Sequence, residues 1–223
     1  MHMTKLTNFL VLFLVLNFSS YSQNFLSTSG SSIVNENGDT IIFRGMGLGG
    51  WMVQGGYMMA PGGFSSTQYQ IKDRLIELIG EEETDVFYHN WLSNHVRKID
   101  IDSMKQWGFN LIRVPIHYNL FTEPIENEPF PNAYTEKEIG FTLLDSLLSW
   151  CKQNQIYLMI DLHAAPGGQG YNADISDYDP TKPSLWESTL NQNKTVELWR
   201  RLASRYKNEE WIAGYDLINE PNW

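Results

Sequence analysis

The sequence predicts an α/β fold in which a parallel sheet is covered by helices. Two observations carry this. Three apolar runs rich in β-branched residues, at 110–116, 156–163 and 212–219, are too short for helices and too continuous for strands with one wet face. Amphipathic stretches alternate with them. Ile71, Leu75, Leu78 and Ile79 recur at helical spacing, as do Phe141, Leu144, Leu148 and Cys151, and later Val196, Trp199, Ala203 and Tyr206.

The elements follow in order. Lys5 precedes an apolar run at residues 9–16, and small residues stand at Ser20 and Ser22. A basic start, a short apolar stretch and small residues two apart predict a secretory signal peptide over residues 1–22, cleaved after Ser22. The run is far shorter than the roughly 20 apolar residues of a spanning helix. Residues 23–223 are then expected to form one domain, exported to a secreted or periplasmic location. Ser32 to Phe43 predicts a hairpin, with Asn37-Gly38 as a type I′ turn between Ile33-Val34 and Ile41-Ile42-Phe43. That hairpin is expected to flank the end of the sheet opposite the ligand edge. The glycine-dense stretch from Arg44 to Trp51 has neither dinucleotide nor phosphate-loop spacing.

Composition narrows the function. The 223 residues are 42% hydrophobic, enough for a sizeable core, which excludes a disordered chain. A single cysteine excludes an internal disulfide framework and a thiolate metal cluster. The net charge of -10 opposes binding to phosphate backbones, so no nucleic-acid partner is expected. An acidic surface with 8 Trp, 11 Tyr and 11 Phe suits neutral ligands such as sugars.

Polar residues gather at the C-terminal tips of the expected strands: Arg113, His163, then Asn219-Glu220. That edge carries the ligands both in a (β/α) barrel and in open doubly wound sheets. Glu220 is the sharpest signal. Glycoside cleavage needs a carboxylic acid beside the leaving oxygen and a second carboxylate across the bond. A neighbouring Asn can hold the sugar 2-hydroxyl, and Pro221 ends the strand.

Three motifs in register, Asn110-Leu111-Ile112-Arg113-Val114-Pro115, Asp161-Leu162-His163-Ala164-Ala165-Pro166-Gly167 and Gly214-Tyr215-Asp216-Leu217-Ile218-Asn219-Glu220-Pro221, resemble the family 5 glycoside hydrolases. The resemblance runs from about Ile33 to the last residue. It implies a (β/α)8 TIM barrel, of which this chain holds about the first four β/α units. It also implies a retaining cellulase-type enzyme acting on polysaccharide or oligosaccharide, with β-glucan expected. Glu220 matches the acid/base, Asn219 its partner on the 2-hydroxyl, Arg113 the arginine that supports the nucleophile, and His163 the histidine of the substrate site. The family's nucleophile is a Glu on strand seven, which falls beyond Trp223, so this chain alone is expected to be inactive. No metal or cofactor is implied, and a monomer is expected.

Each residue has an alternative reading. Arg113 can be a core arginine paired with Asp161, and His163 a structural histidine or a metal ligand, although no second His stands at close spacing. Trp51, Tyr118, Trp186 and Trp223 are the expected sugar platforms, with core packing the rival. Trp150 and Trp199 lie on helical stripes and are expected in the core. Glu123, Glu126 and Glu128 are expected on a solvated rim. The sequon at Asn193 starts a helix and is read as coincidental.

The stretches Leu48-Gly49-Gly50-Trp51 and Asp161 to Gln169 look most like the exo-β-1,3-glucanase branch. Where that branch carries a Glu, this sequence has Gln54. That departure leaves endo-β-1,4 or mixed-linkage glucanase and β-mannanase open. A non-catalytic carbohydrate-binding half-barrel and a metal-dependent hydrolase are the rival classes.

Overall fold

The computed structural model describes residues 25–60, 63 and 65–223, so the expected signal peptide lies outside the described residues. Strands β1 (Ser27–Ser29) and β2 (Ser32–Val34) pair antiparallel through a turn at Gly30, whose φ of +59° suits glycine. The hairpin expected over 32–43 is thus displaced towards the N-terminus. Its second arm makes only an isolated bridge, Val34 to Thr40. Asn37-Gly38 is not a type I′ turn, because Gly38 alone takes positive φ (+82°). The Asn35 side chain accepts from the amides of Asn37 and Asp39 and closes the loop instead. As expected, the segment flanks the N-terminal end of the sheet. Asn110 Nδ2 donates to the Ile42 carbonyl (2.9 Å), and Phe43 packs edge-on against Tyr157.

Four parallel strands follow in chain order: β3 (Gly45–Gly47), β4 (Leu111–His117), β5 (Tyr157–Ala164) and β6 (Ile212–Asp216). An open doubly wound sheet reverses its strand order at a switch point, and this one does not. Each new strand adds on the same side, as consecutive strands of a (β/α)8 barrel do. Helices α1 (Gly56–Met59), α2 (Gln68–Ile79), α3 (Glu81–Asn94) and α4 (Lys98–Gln106) lie between β3 and β4. Helix α5 (Glu138–Asn154) joins β4 to β5, and α6 (Ala173–Ser176) and α7 (Thr189–Tyr206) join β5 to β6. Local chemistry starts these helices. Thr67 and Ser188 accept from Gln70 and Asn191 amides as N-caps, and three Glu side chains sit in the first turn of α3.

The core lies between the outer face of the sheet and the helices. Ile112, Val114 and Ile116 alternate along β4, and Leu158, Ile160 and Leu162 along β5, all fully buried. Leu144, Leu147 and Cys151 of α5 and Leu198 and Leu202 of α7 meet them. Each such side chain contributes about 1.5–3 kcal/mol by leaving water.

Two helical stripes differ from expectation. In α2 only Ile71 is buried, while Leu78 is 78% exposed and Ile79 is also exposed. In α7 the buried face is Asn191, Lys194, Thr195, Leu198, Leu202 and Tyr206, and Val196 and Ala203 point to solvent. The cause is polar. Lys194 is drawn inward to a buried ion pair with Glu128, with Thr122 Oγ1 as a further acceptor (3.1 Å). Glu128 is therefore no part of a solvated rim. Its oxygens also accept from Thr135 N and Oγ1, which folds the loop after β4 onto α7. Trp150 and Trp199 pack against the core as expected.

Candidate active site

The inner face of the sheet carries the other half of the strand alternation, and there Arg113, Asp161 and Asp216 converge. Arg113 Nη2 lies 3.0 Å from Asp161 Oδ2 and 2.9 Å from Asp216 Oδ2, and donates to Asn219 Oδ1 at 2.7 Å. Arg113 is ion-paired, as its alternative reading had it, and it is the third residue of β4 rather than a residue of that strand's C-terminal tip, from which its long side chain reaches the other groups. Asp161 is fully buried and Arg113 about one-third exposed. Burial pushes the Asp161 carboxyl above its ordinary value and Asp216 adds to the rise, while His163 and Arg113 act in the opposite direction; among the described residues its Oδ1 has no hydrogen-bond partner.

These contacts fix two orientations. His163 Nδ1 donates to Asp161 Oδ2 at 2.7 Å, which turns the Nε2 edge of the ring towards Asn219. Asn219 turns its oxygen to Arg113, so its Nδ2 faces His163 Nε2 at 3.5 Å. The result is a row of oriented polar edges from β4, β5 and the turn after β6.

Strand β6 ends at Asp216, three residues short of the expected tip. The pairing nevertheless continues, because Asn219 N donates to the Leu162 carbonyl at 3.0 Å. Glu220 follows, exposed and in the left-handed region with φ +42°. Beyond it, Asn222 N donates to Gln169 O, and Asn222 Oδ1 accepts from Tyr171 N (2.8 Å). Trp223 thereby lands flat on Tyr171, with ring centroids 4.6 Å apart, and meets Tyr178 edge-on.

The aromatic expectations divide. Trp186 is 40% exposed and held by a bond from Nε1 to Gln169 O, and Trp223 is 46% exposed. Both remain able to offer a face to a ligand. Trp51 does not. It is 2% exposed, with Nε1 donating to Leu92 O, because α3 closes over it, and it belongs to the core. Tyr118 is also displaced. Its ring leans on His117, and it lines a polar cleft with Tyr69, Asn119 and Asp177 rather than joining Arg113, His163 and Asn219. Burial raises its hydroxyl pKa.

Sequence reasoning assigned no site role to Asp216 and Gln169. Asp216 was legible as a second acidic residue on the inner face, two strands from Arg113. Gln169 had no signal, since a lone Gln in a glycine-rich loop has no chemistry of its own. The His117–Asp177 pair (2.8 Å) was equally silent. Gln54, where a carboxylate was sought, is buried and accepts from Tyr88 OH at 2.9 Å. Among the described residues no group of three or more metal-ligating side chains gathers.

The family model for cellulases, glycosyl hydrolase family 5, matches residues 73–223. A "Beta-xylosidase" of Phanerodontia chrysosporium is 35% identical over 198 residues, covering 88% of this chain and 39% of that protein. A "Probable glucan 1,3-beta-glucosidase A" of Aspergillus niger is 31% identical over 183 residues, 81% of this chain and 41% of the relative. The solved structure of a rutinosidase from Aspergillus niger superposes with a TM-score of 0.61 at 17% identity, over 80% of this chain and 49% of that one, a likeness of fold alone. The chain spans about two fifths of the length of the curated relatives it matches (39% and 41%). With the strand order, the inner-face cluster and the match over residues 73–223 in agreement, this chain belongs to glycosyl hydrolase family 5.

Proposed function

We propose that this chain supplies the acid/base half of a retaining β-glycoside hydrolase acting on β-glucan, with Glu220 as the proton donor. One observation carries the reading. Glu220 directly follows Asn219, whose amide is oriented by Arg113 and faces His163 at the ligand edge of the sheet. The exposed faces of Trp186 and Trp223 near that edge support a sugar ligand.

A carboxylate on a later strand, beyond Trp223, attacks the anomeric carbon of the bound sugar. The glycosidic C–O bond breaks as Glu220 gives its proton to the leaving oxygen, and a glycosyl ester forms. Glu220, now a carboxylate, takes a proton from the water that hydrolyses this ester. The Asn219 amide, held by Arg113, is oriented to donate to the sugar 2-hydroxyl. His163, held by Asp161, presents its Nε2 edge beside it. The glucan assignment is supported by the relative named as a glucan 1,3-beta-glucosidase. The leader-like start of the sequence supports export, and a monomer suffices for the chemistry. Among the described residues no helix is long and apolar enough to cross a membrane.

The test is to follow hydrolysis of β-glucan oligomers by the complete protein with proton NMR. The first-formed product is expected to keep the β configuration. First-formed α product, or no cleavage of any β-glycan, would overturn the reading.

A further inference from the structure

Among the described residues Gln169 stands out as a buried polar side chain at the site with no place in the chemistry above. It is fully buried. Both hydrogens of its amide are used: Nε2 donates to the carbonyls of His163 (2.7 Å) and Asn219 (2.8 Å). Oε1 accepts from Ala165 N at 3.1 Å, so the amide can sit only one way round. The backbone carbonyl of Gln169 accepts in turn from Trp186 Nε1 (2.9 Å) and Asn222 N (3.3 Å).

The residues so held bracket Glu220. The Asn219 carbonyl belongs to the peptide plane that delivers the Glu220 nitrogen, and the Asn219 N–H is fixed separately by Leu162 O. Two residues further on, Asn222 N is tied to the Gln169 carbonyl. Between these anchors the backbone makes its left-handed turn at Glu220, φ +42°, a region that L side chains enter only when their surroundings impose it. Pro221 narrows the choice again, because its ring disfavours helical backbone in the residue before it. The direction in which the Glu220 side chain leaves the backbone is thus set by groups on the neighbouring loop.

We propose that Gln169 is a positioning residue for proton delivery: by clamping the Asn219 carbonyl with its side chain and Asn222 with its backbone, it aims the Glu220 carboxyl at the leaving oxygen. This rests on the reading of Glu220 as the acid/base. It carries a specificity consequence. Misaimed acid catalysis slows cleavage of glycosides whose leaving group needs a proton and spares those whose leaving group departs as a stable anion.

The experiment compares Gln169→Leu, Gln169→Asn and Glu220→Gln in the complete protein. The substrates are aryl β-glycosides carrying one or two glucose units, with phenyl or dinitrophenyl as leaving group. The readout is kcat/KM, which reports cleavage of the glycosidic bond alone. Gln169→Leu is expected to lower kcat/KM on the phenyl glycoside about 100-fold, the size of effect a misplacement near 1 Å produces. The dinitrophenyl glycoside should lose far less, which also shows the variant folded. Gln169→Asn keeps the amide with a shorter reach and should shift the ratio in the same direction, so the test stands if the Leu variant does not fold. An equal loss on both substrates, or no loss, would overturn the inference. Glu220→Gln separates the two ideas. If it lacks the leaving-group dependence, the acid/base reading fails. If it has the dependence and the Gln169 variants do not, only the positioning role fails.

Discussion

Arg113 of β4 and Asp216 of β6 meet at 2.9 Å although β5 runs between their strands. Strands one apart in a flat sheet are nearly 10 Å apart. The contact is made on the inner face, where the side chains of successive strands converge and the long arginine reaches over Asp161. The same Nη2 serves Asp161, Asp216 and Asn219, so one guanidinium holds together two carboxylates and the amide that precedes Glu220.

Removing that guanidinium leaves Asp216 without its charged partner and Asp161 with His163 alone. Breaking a buried pair typically costs about 3–5 kcal/mol. Because Arg113 is one-third exposed, Arg113→Ala is expected to cost about 2–3 kcal/mol. Urea unfolding of the variant measures it, and a loss near zero would mean that solvent already screens the cluster.

Two buried carboxylates respond to acid in opposite senses. Burial raises the Glu128 carboxyl, but Lys194 and Thr135 outweigh it and hold the pKa below its ordinary value. Its stabilisation is present above the unfolded-state value and is lost as pH falls through the lower native one. Asp161 is raised by burial, so its contribution is full below the ordinary carboxylate value and is lost as pH rises through the raised native one. Stability measured against pH on the acid side should therefore fall less steeply for Glu128→Gln than for wild type, and more steeply for Asp161→Asn.

Gly167 shapes the loop that carries Gln169. Its φ is +81°, and an added Cβ would lie 2.2 Å from Asn191 Nδ2 and 2.8 Å from the Pro183 carbonyl. Gly167→Ala combines backbone strain with overpacking and is expected to cost about 2–4 kcal/mol. Thermal unfolding tests this, and an unchanged midpoint would show that the loop relaxes freely.

Trp51 and Trp186 should separate stability from binding. Trp51→Ala is expected to cost about 3–5 kcal/mol as a core truncation, with KM unchanged in whatever remains folded. Trp186→Ala should leave the unfolding midpoint nearly in place and raise KM. Denaturation and kinetics on the same pair of variants check both halves.

The contrast between these tryptophans shows what the sequence could reveal. The strands at 111–117, 157–164 and 212–216 were legible because their outer faces form unbroken apolar rows. His163, Asn219 and Glu220 were legible because polar residues at strand tips are conspicuous against such rows, and Arg113 because it is a charge set inside one. Trp51 misled, because its burial depends on α3, a helix whose apolar residues mark no single clear face and which closes over it from 41 positions away. The buried face of α7 was misjudged because an ion pair, Lys194 with Glu128, set its rotation where hydrophobic spacing was the only guide. Gln169 was invisible for the same reason: its partners are backbone carbonyls, which leave no trace in residue identity.

The most direct measurement replaces Glu220 by Ala in the complete protein and supplies azide with a dinitrophenyl β-glycoside. With the acid/base gone, the first bond still breaks and the glycosyl ester waits for a base that is no longer there. Azide needs no deprotonation, so the account predicts accelerated turnover and a β-glycosyl azide product. Wild-type rates on β-glucan with no azide adduct would contradict it.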